Sequence, residues 1–362
     1  MKSSSEDILD KNSFRKLWLK FFPHVKIRAL KDVTGKCNSC CALSICRKRD
    51  ADYKSKEFLT MLHAFHRSMY MGERLSYYKR RQEALLNPDT VWSLIGDGMA
   101  QQHCPLPHAA GLKNVDTIKQ HLQSLLVHGK TLRIFRTYNN VSTGANLQIH
   151  TFLATLEYLI DIKHDGRVPE VIYYQVDGGS ENTAKAIFAM AELLVAKGIC
   201  NQLFLTRLPV GHTHEDIDSK FSKIWMKLRD EHVSTMREYK DLIEKTLCPD
   251  SNHLECEVID IFVVPYYVSY LQPCMDKAFG RYARLEWTQL QWRFEKVCVS
   301  SDFPLGVKTM YRACSCDKVI EIIASNSELG YSARDRINTW QPKIDLNKGI
   351  LVEGMYLLQC FP

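Results

Sequence analysis

No stretch of this sequence is apolar for the roughly 20 residues that a helix needs to cross a bilayer, so a membrane span is not expected. The opening segment MKSSSEDILDKNSF has no apolar core of the kind that marks a secretory signal. Tandem repeats and low-complexity tracts are also missing, which argues against solenoids and biased disordered chains. A strong charge imbalance is lacking too: the net charge of +7 permits nucleic acid as a partner without requiring it. The basic triplets Arg47, Lys48, Arg49 and Lys79, Arg80, Arg81 are local, and solvated helix faces explain them as readily as phosphate contacts do.

What is present describes a globular chain. Its 362 residues are 45% apolar and 25% charged, enough for two or three domains. The 13 cysteines are an odd number in a long chain, so reduced thiols in an intracellular, non-secreted protein are expected.

The stretch from Val171 to Lys227 carries one pattern twice: an apolar run, an acidic glycine-bearing turn, then a helix. Val171 to Val176 is β-branched and aromatic without helical spacing, as in a buried parallel strand, and it delivers Asp177 to the strand's carboxyl end. Gly178 and Gly179 allow a sharp turn and Ser180 is a candidate N-cap. Ile187, Met190, Ala191 and Leu194 then recur at helical spacing before Gly198, a candidate C-cap. Leu203 to Leu208 reads as a second strand, ended by Pro209 and Gly211 ahead of His212, Thr213, His214, Glu215, Asp216 and Asp218.

Ile217, Phe221, Ile224, Trp225 and Leu228 set the apolar face of the following helix. At roughly 100° per residue, Asp218 falls about 70° from the centre of that face, while Glu215 and Asp216 fall at about 130°, towards solvent. Asp218 is therefore the acid expected to look across at Asp177. Two carboxylates brought together raise each other's pKa unless a cation sits between them, and hard oxygen ligands suit Mg²⁺ or Mn²⁺. Ordinary turn and cap roles for both aspartates are the alternative.

Nearer the amino terminus, Phe14, Leu17, Trp18 and Phe21 suggest a short amphipathic helix stopped by Pro23, and HVKIRAL reads as a strand. Cys37 and Cys40 have the separation that lets two thiolates of a turn reach one zinc ion. A long helical pattern from about Asp52 to Leu86 carries Phe58, Leu62, Phe65 and Met69 on one face, with His63 and His66 on a neighbouring one. Cys37, Cys40, His63 and His66 form a reasonable tetrahedral zinc set that would pin an amino-terminal hairpin to this helix. Cys41 and Cys46 are rival ligands, and buried thiols with helix-surface histidines are the alternative.

Val91 to Ile95 reads as a strand that ends on Asp97 between two glycines, a setting like that of Asp177. Two further strands are expected before a helix from about Asn146 to Ile162, although Thr117 to Val127 could equally be helical. Beyond a short helix around Met236 to Leu247, strand-like runs appear at Val258 to Val268 and within RYARLEWTQLQWRFEK, with Leu351 to Gln359 as a last candidate. The expected division is residues 1–88, an amino-terminal helical region with the Cys/His site; 89–235, a catalytic core; and 236–362, a small β-rich appendage.

The order of strand with acid, two strands, helix, strand with acid, helix, strand, helix with acid is that of an RNase H-like α/β fold, a mixed sheet with flanking helices. The chain also resembles a widespread eukaryotic transposon-derived family related to DDE/D transposases and retroviral integrases. Asp97-Gly98-Met99 with Pro107 and His108, Asp177 with Asn182, and Gly211-His212-Thr213 with Asp218 and Phe221 carry the resemblance. Glu73, Arg74 and Tyr78 also fit the family's pattern, and the likeness covers roughly residues 12–270. The departure is in the middle element, where Gly178, Gly179 and Glu181 stand in place of the family's asparagine and Gly-Gln-Asn run.

The resemblance implies phosphoryl transfer on DNA by two Mg²⁺ or Mn²⁺ ions, roughly 3.5 to 4 Å apart, that activate a water or 3′-hydroxyl and stabilise the leaving oxygen. Asp97 would bridge the ions, with Asp177 on one and Asp218 on the other. His212 would position a phosphate or move a proton, or else brace the turn. It further implies DNA as partner, a homo-oligomer as one form of assembly, and nuclear or nucleocytoplasmic action. A catalytically silent descendant that binds DNA or protein is the second reading, and a fragment of a longer element-encoded protein the third.

Overall fold

The computed structural model describes residues 11–21, 37–49, 53–108, 117–164, 166–177, 182, 184–207, 216–248, 255–271, 289–313 and 341–342. The chain divides after Lys36 into two compact units. The first contains the helix α1 (Lys11–Phe21), which matches the amphipathic stretch expected there. HVKIRAL, Ser180, His212 with the rest of 208–215, and Leu351 to Gln359 lie outside the described residues.

The second unit opens with two helices, α2 (Asn38–Arg49) and the 34-residue α3 (Tyr53–Leu86). Strands β1 (Val91–Gly98), β2 (Gln120–Val127) and β3 (Thr131–Tyr138) follow, then α4 (Ala145–Tyr158), which continues as one π-helical turn to Lys163. Next come β4 (Val171–Val176), α5 (Lys185–Ala196), β5 (Gln202–Arg207), α6 (Asp216–Leu228) and α7 (Met236–Leu247). The described chain ends with β6 (Glu255–Ile261), β7 (Gln289–Lys296), β8 (Val307–Ala313) and the two-residue β9 (Gln341–Pro342).

All these strands join one mixed sheet in the order β6-β3-β2-β1-β4-β5-β7-β8-β9. β2 runs antiparallel to both β1 and β3, while β4 lies parallel to β1 and to β5. The residues expected as a separate carboxyl-terminal appendage instead widen this sheet at both edges. β6 pairs in parallel with β3, and β7 and β8 continue antiparallel from β5. Edge strands expose unpaired backbone groups, so covering β3 and β5 satisfies both rims of the inner five strands.

Side-chain alternation splits the core into two layers. Trp92, Leu94, Ile172, Tyr174, Leu203 and Leu205 pack against α4 and α5 through Phe152, Leu156, Ile187, Met190 and Leu194. On the other face, Ile95, Leu122, Leu126 and Ile134 meet Ile217, Phe221, Ile224 and Leu228 of α6, with Tyr239 and Ile243 of α7. Each large apolar side chain so buried contributes about 1.5–3 kcal/mol. α5 ends as its sequence suggests, with Gly198 in the left-handed region at φ +75°. It starts later than Ser180 would place it, with Ala184 at the N-cap.

Candidate functional site

Asp97 is the penultimate residue of β1, and the parallel register pairs Gly96 with Val176, the residue before Asp177. The two aspartates thus close adjacent parallel strands, whose axes lie roughly 4.8 Å apart. Alternation puts Asp97 on the face of Ile95, the side of the sheet that packs on α6, while Asp177 lies just past the end of β4. The flanking glycines of Asp97 have a local cause. A Cβ on Gly96 would meet Tyr174 Oη at 3.1 Å and Leu125 at 3.2 Å, and one on Gly98 would meet His121 at 3.0 Å. Asp97 Oδ1 accepts a 2.7 Å hydrogen bond from the Gly98 amide.

Asp177 Oδ1 accepts a short hydrogen bond from Asn182 Nδ2. Asn182 is buried, and its Oδ1 has no partner among the described residues. Burial, seconded by the charge of Asp177, pushes the Tyr174 phenol well above its usual range. Arg207, which pairs with Val176 across β4 and β5, is pulled down to about 10 by burial, with Asp177 opposing that fall. Asp177 is therefore set among buried groups, with the Asn182 amide and one guanidinium nearby.

Asp216 and Asp218 are both in the first turn of α6. Asp216 Oδ2 accepts from Arg81 at 2.8 Å and from Tyr77 Oη at 3.2 Å, and lies 3.4 Å from His128 Nε2. The expectation of a solvent-facing Asp216 is corrected here: Tyr77 and Arg81 of α3, with His128, reach its carboxylate. Asp216 and Asp218 stand about 200° apart around the helix, so Asp218 is on the opposite flank. That is the flank of Trp225, whose ring lies 4.0 Å from that of His103.

His128 also contacts Ser93, with Nδ1 3.1 Å from Oγ, so a relay of side chains ties the first turn of α6 to β1. Among the described residues, Asp97, Asp177 and Asp218 do not form a group with ligand atoms within 4.8 Å of one another. Nothing in the sequence pattern signals the Ser93, His128, Tyr77 and Arg81 cluster, since its members come from three separate elements.

One group of described residues does meet that spacing: Cys37, Cys40 and His66. His66 Nε2 lies 3.0 Å from Cys40 Sγ and 3.4 Å from Cys37 Sγ. A tetrahedral zinc with bonds of roughly 2.0 to 2.3 Å needs neighbouring ligand atoms about 3.5 Å apart, so the donor set and its spacing fit that ion. Burial, then the neighbouring Cys37, pushes the Cys40 thiol up to about 12. His63 is not in the group, and burial followed by Arg47 lowers its pKa. Cys37 just precedes α2 and Cys40 lies in its first turn, so the thiols are offered by a helix start rather than by the expected hairpin.

Residues 110–284 match the profile of a family described as a domain of unknown function, DUF7869. The match takes in Asp177 and Asp218 but neither Asp97 nor the Cys/His group. No curated protein and no solved structure matches the chain. Among the described residues, no helix is long and apolar enough to cross a membrane.

Proposed function

We propose that the chain has an RNase H-like core whose acid pair, Asp97 and Asp177, binds divalent cations for phosphoryl transfer on DNA. One observation carries this reading. Two acids stand at the carboxyl ends of adjacent parallel strands in a sheet whose inner order is β3-β2-β1-β4-β5. Ligands of open α/β sheets sit outside the carboxyl ends of such strands. Two carboxylates with the buried amide oxygen of Asn182 are a hard donor set that suits Mg²⁺ or Mn²⁺.

When bound, such an ion activates a water or 3′-hydroxyl and stabilises the leaving oxygen. Asp97 and Asp177 would hold it, and Asn182 fixes the Asp177 carboxylate by donating to Oδ1. Arg207 supplies positive charge at the same edge, and His212 belongs to the proposed set. Asp218, in the first turn of α6, is the third acid of the proposed set.

The test is Mn²⁺-dependent cleavage or strand transfer on DNA by the parent chain, Asp97→Asn, Asp177→Asn and Asp218→Asn. Loss of about 100-fold or more is expected in the first two variants. Equal activity in parent and Asp97→Asn rejects the site. The second reading, a silent DNA- or protein-binding descendant, is favoured by the middle element, where Gly178, Gly179 and Glu181 depart from the family's pattern. It predicts no turnover by the parent.

Cys37, Cys40 and His66 are read as a structural zinc site that pins α2 to α3. Its fourth position is open to Cys41, His63 or water.

A further inference from the structure

α3 is 34 residues long, about 51 Å, and only one side of it faces the rest of the fold. Leu62, His66, Glu73, Tyr77 and Ala84 are its buried side. On the opposite side Met61, Met71 and Leu75 are each about half exposed, at 54%, 47% and 54%, with Tyr78 beside them at 41%. Single exposed apolar side chains are ordinary. Several on one stripe of one helix form a continuous apolar strip, which marks interaction surfaces.

Gly72 lies within this strip and adds a separate observation. A glycine inside a helix is unfavourable relative to alanine, yet a Cβ built on Gly72 would meet nothing within 4 Å. The chain's own packing therefore gives no reason for it. Ala64, Ser68 and Ser76 stand at four-residue steps on either side. The two serine hydroxyls bond back to the Phe65 and Gly72 carbonyls, at 2.8 and 3.1 Å, and leave the lane without an outward donor. A lane of short side chains admits the ridge of a second helix.

Charge decides what that helix carries. Arg67 and Arg74 lie seven residues apart along one flank of the strip, and the exposed Lys79 lies on the other. A second copy docked antiparallel would set arginine flank against arginine flank. A parallel one would face Arg74 with Lys79. Neither pairing is complementary.

We propose that the outward face of α3 docks an acidic amphipathic helix of a partner protein, with apolar side chains along Met71, Gly72 and Leu75 and carboxylates against Arg67 and Arg74. The probe is a labelled helical peptide with Leu at both core positions of each heptad and Glu on the flanks, compared with the same peptide carrying Lys on the flanks. Binding to the full chain is followed by fluorescence anisotropy at physiological salt.

The Glu peptide is expected to bind and the Lys peptide not to. Leu75→Glu and Gly72→Leu, both at exposed positions, should each weaken binding roughly tenfold or more, with unchanged circular dichroism. Binding of equal strength to Leu75→Glu, or no binding of the Glu peptide, overturns the proposal. So does sedimentation that shows the parent chain self-associating through this strip, with Leu75→Glu monomeric.

Discussion

Arg81 donates a 2.8 Å hydrogen bond to Asp216, and through it the long helix α3 holds the first turn of α6. Tyr77 donates to the same oxygen, and His128 links it onward to Ser93 of β1. Four elements are tied at one carboxylate, so its removal is felt by all of them.

Asp216→Ala should therefore cost about 1–3 kcal/mol, because buried donors lose their acceptor. The hydrogen bond with His128, then the charge of Arg81, lowers the Asp216 pKa against the opposing effect of burial. A carboxyl whose folded pKa is depressed adds stability above its unfolded value of roughly 3.9 and loses it as pH falls through the folded value. Urea titrations of parent and variant should differ by a constant amount near neutrality and converge below about pH 4. A difference that widens in acid would contradict this assignment.

Much of the fold was legible because strands and helices have different periods. Val171 to Val176 is β4 to the residue, and the pattern from Asp52 to Leu86 is α3 with its start one residue later. The unsettled Thr117 to Val127 became β2 because it pairs with β1 and β3, a contact that no local pattern reports. Asp97 and Asp177 each end an apolar run at a turn, and the parallel register of β1 with β4, which no local pattern reports, sets the ends of those two runs side by side. The facing of α6 was misjudged for Asp216, since a helical wheel treats everything off the apolar face as solvent and cannot anticipate that Tyr77 and Arg81 of α3 reach its first turn.

Glycine substitutions should separate the two kinds of close approach. At Gly96 a new methyl meets Tyr174 and Leu125 inside the core, so Gly96→Ala should cost about 1–3 kcal/mol. At Gly72 it meets open space on a helix, so Gly72→Ala should gain about 0.5–1 kcal/mol. Chemical denaturation of both variants gives the two signs directly.

The Cys/His group makes a prediction about metal content. Purified parent protein should carry zinc, Cys37→Ser and His66→Ala should lose it, and His63→Ala should retain it. Both thiols must give up their protons to bind the ion, and that of Cys40 is held up at about 12 without one, so zinc release should rise as pH falls. Elemental analysis after dialysis at graded pH measures this. Retention of zinc by Cys37→Ser would remove the site.

Arg136 makes the most exacting prediction about the widened sheet. Its Nε and Nη2 donate to the two carboxylate oxygens of Asp260 at 2.5 and 2.9 Å, a bidentate pair that joins β3 to β6. Arg136 is 1% exposed, and Tyr138 also donates to Asp260. Asp260→Ala leaves the guanidinium bonded to the Met236 carbonyl but without its counter-charge, and should cost about 3–5 kcal/mol. Removing both charges is a different perturbation. Arg136→Met combined with Asp260→Val replaces the pair by apolar contact across the same two strands, and should recover much of that loss. A double variant as unstable as Asp260→Ala alone would mean that the loss is that of the bidentate bonds themselves and not of an unpaired buried guanidinium.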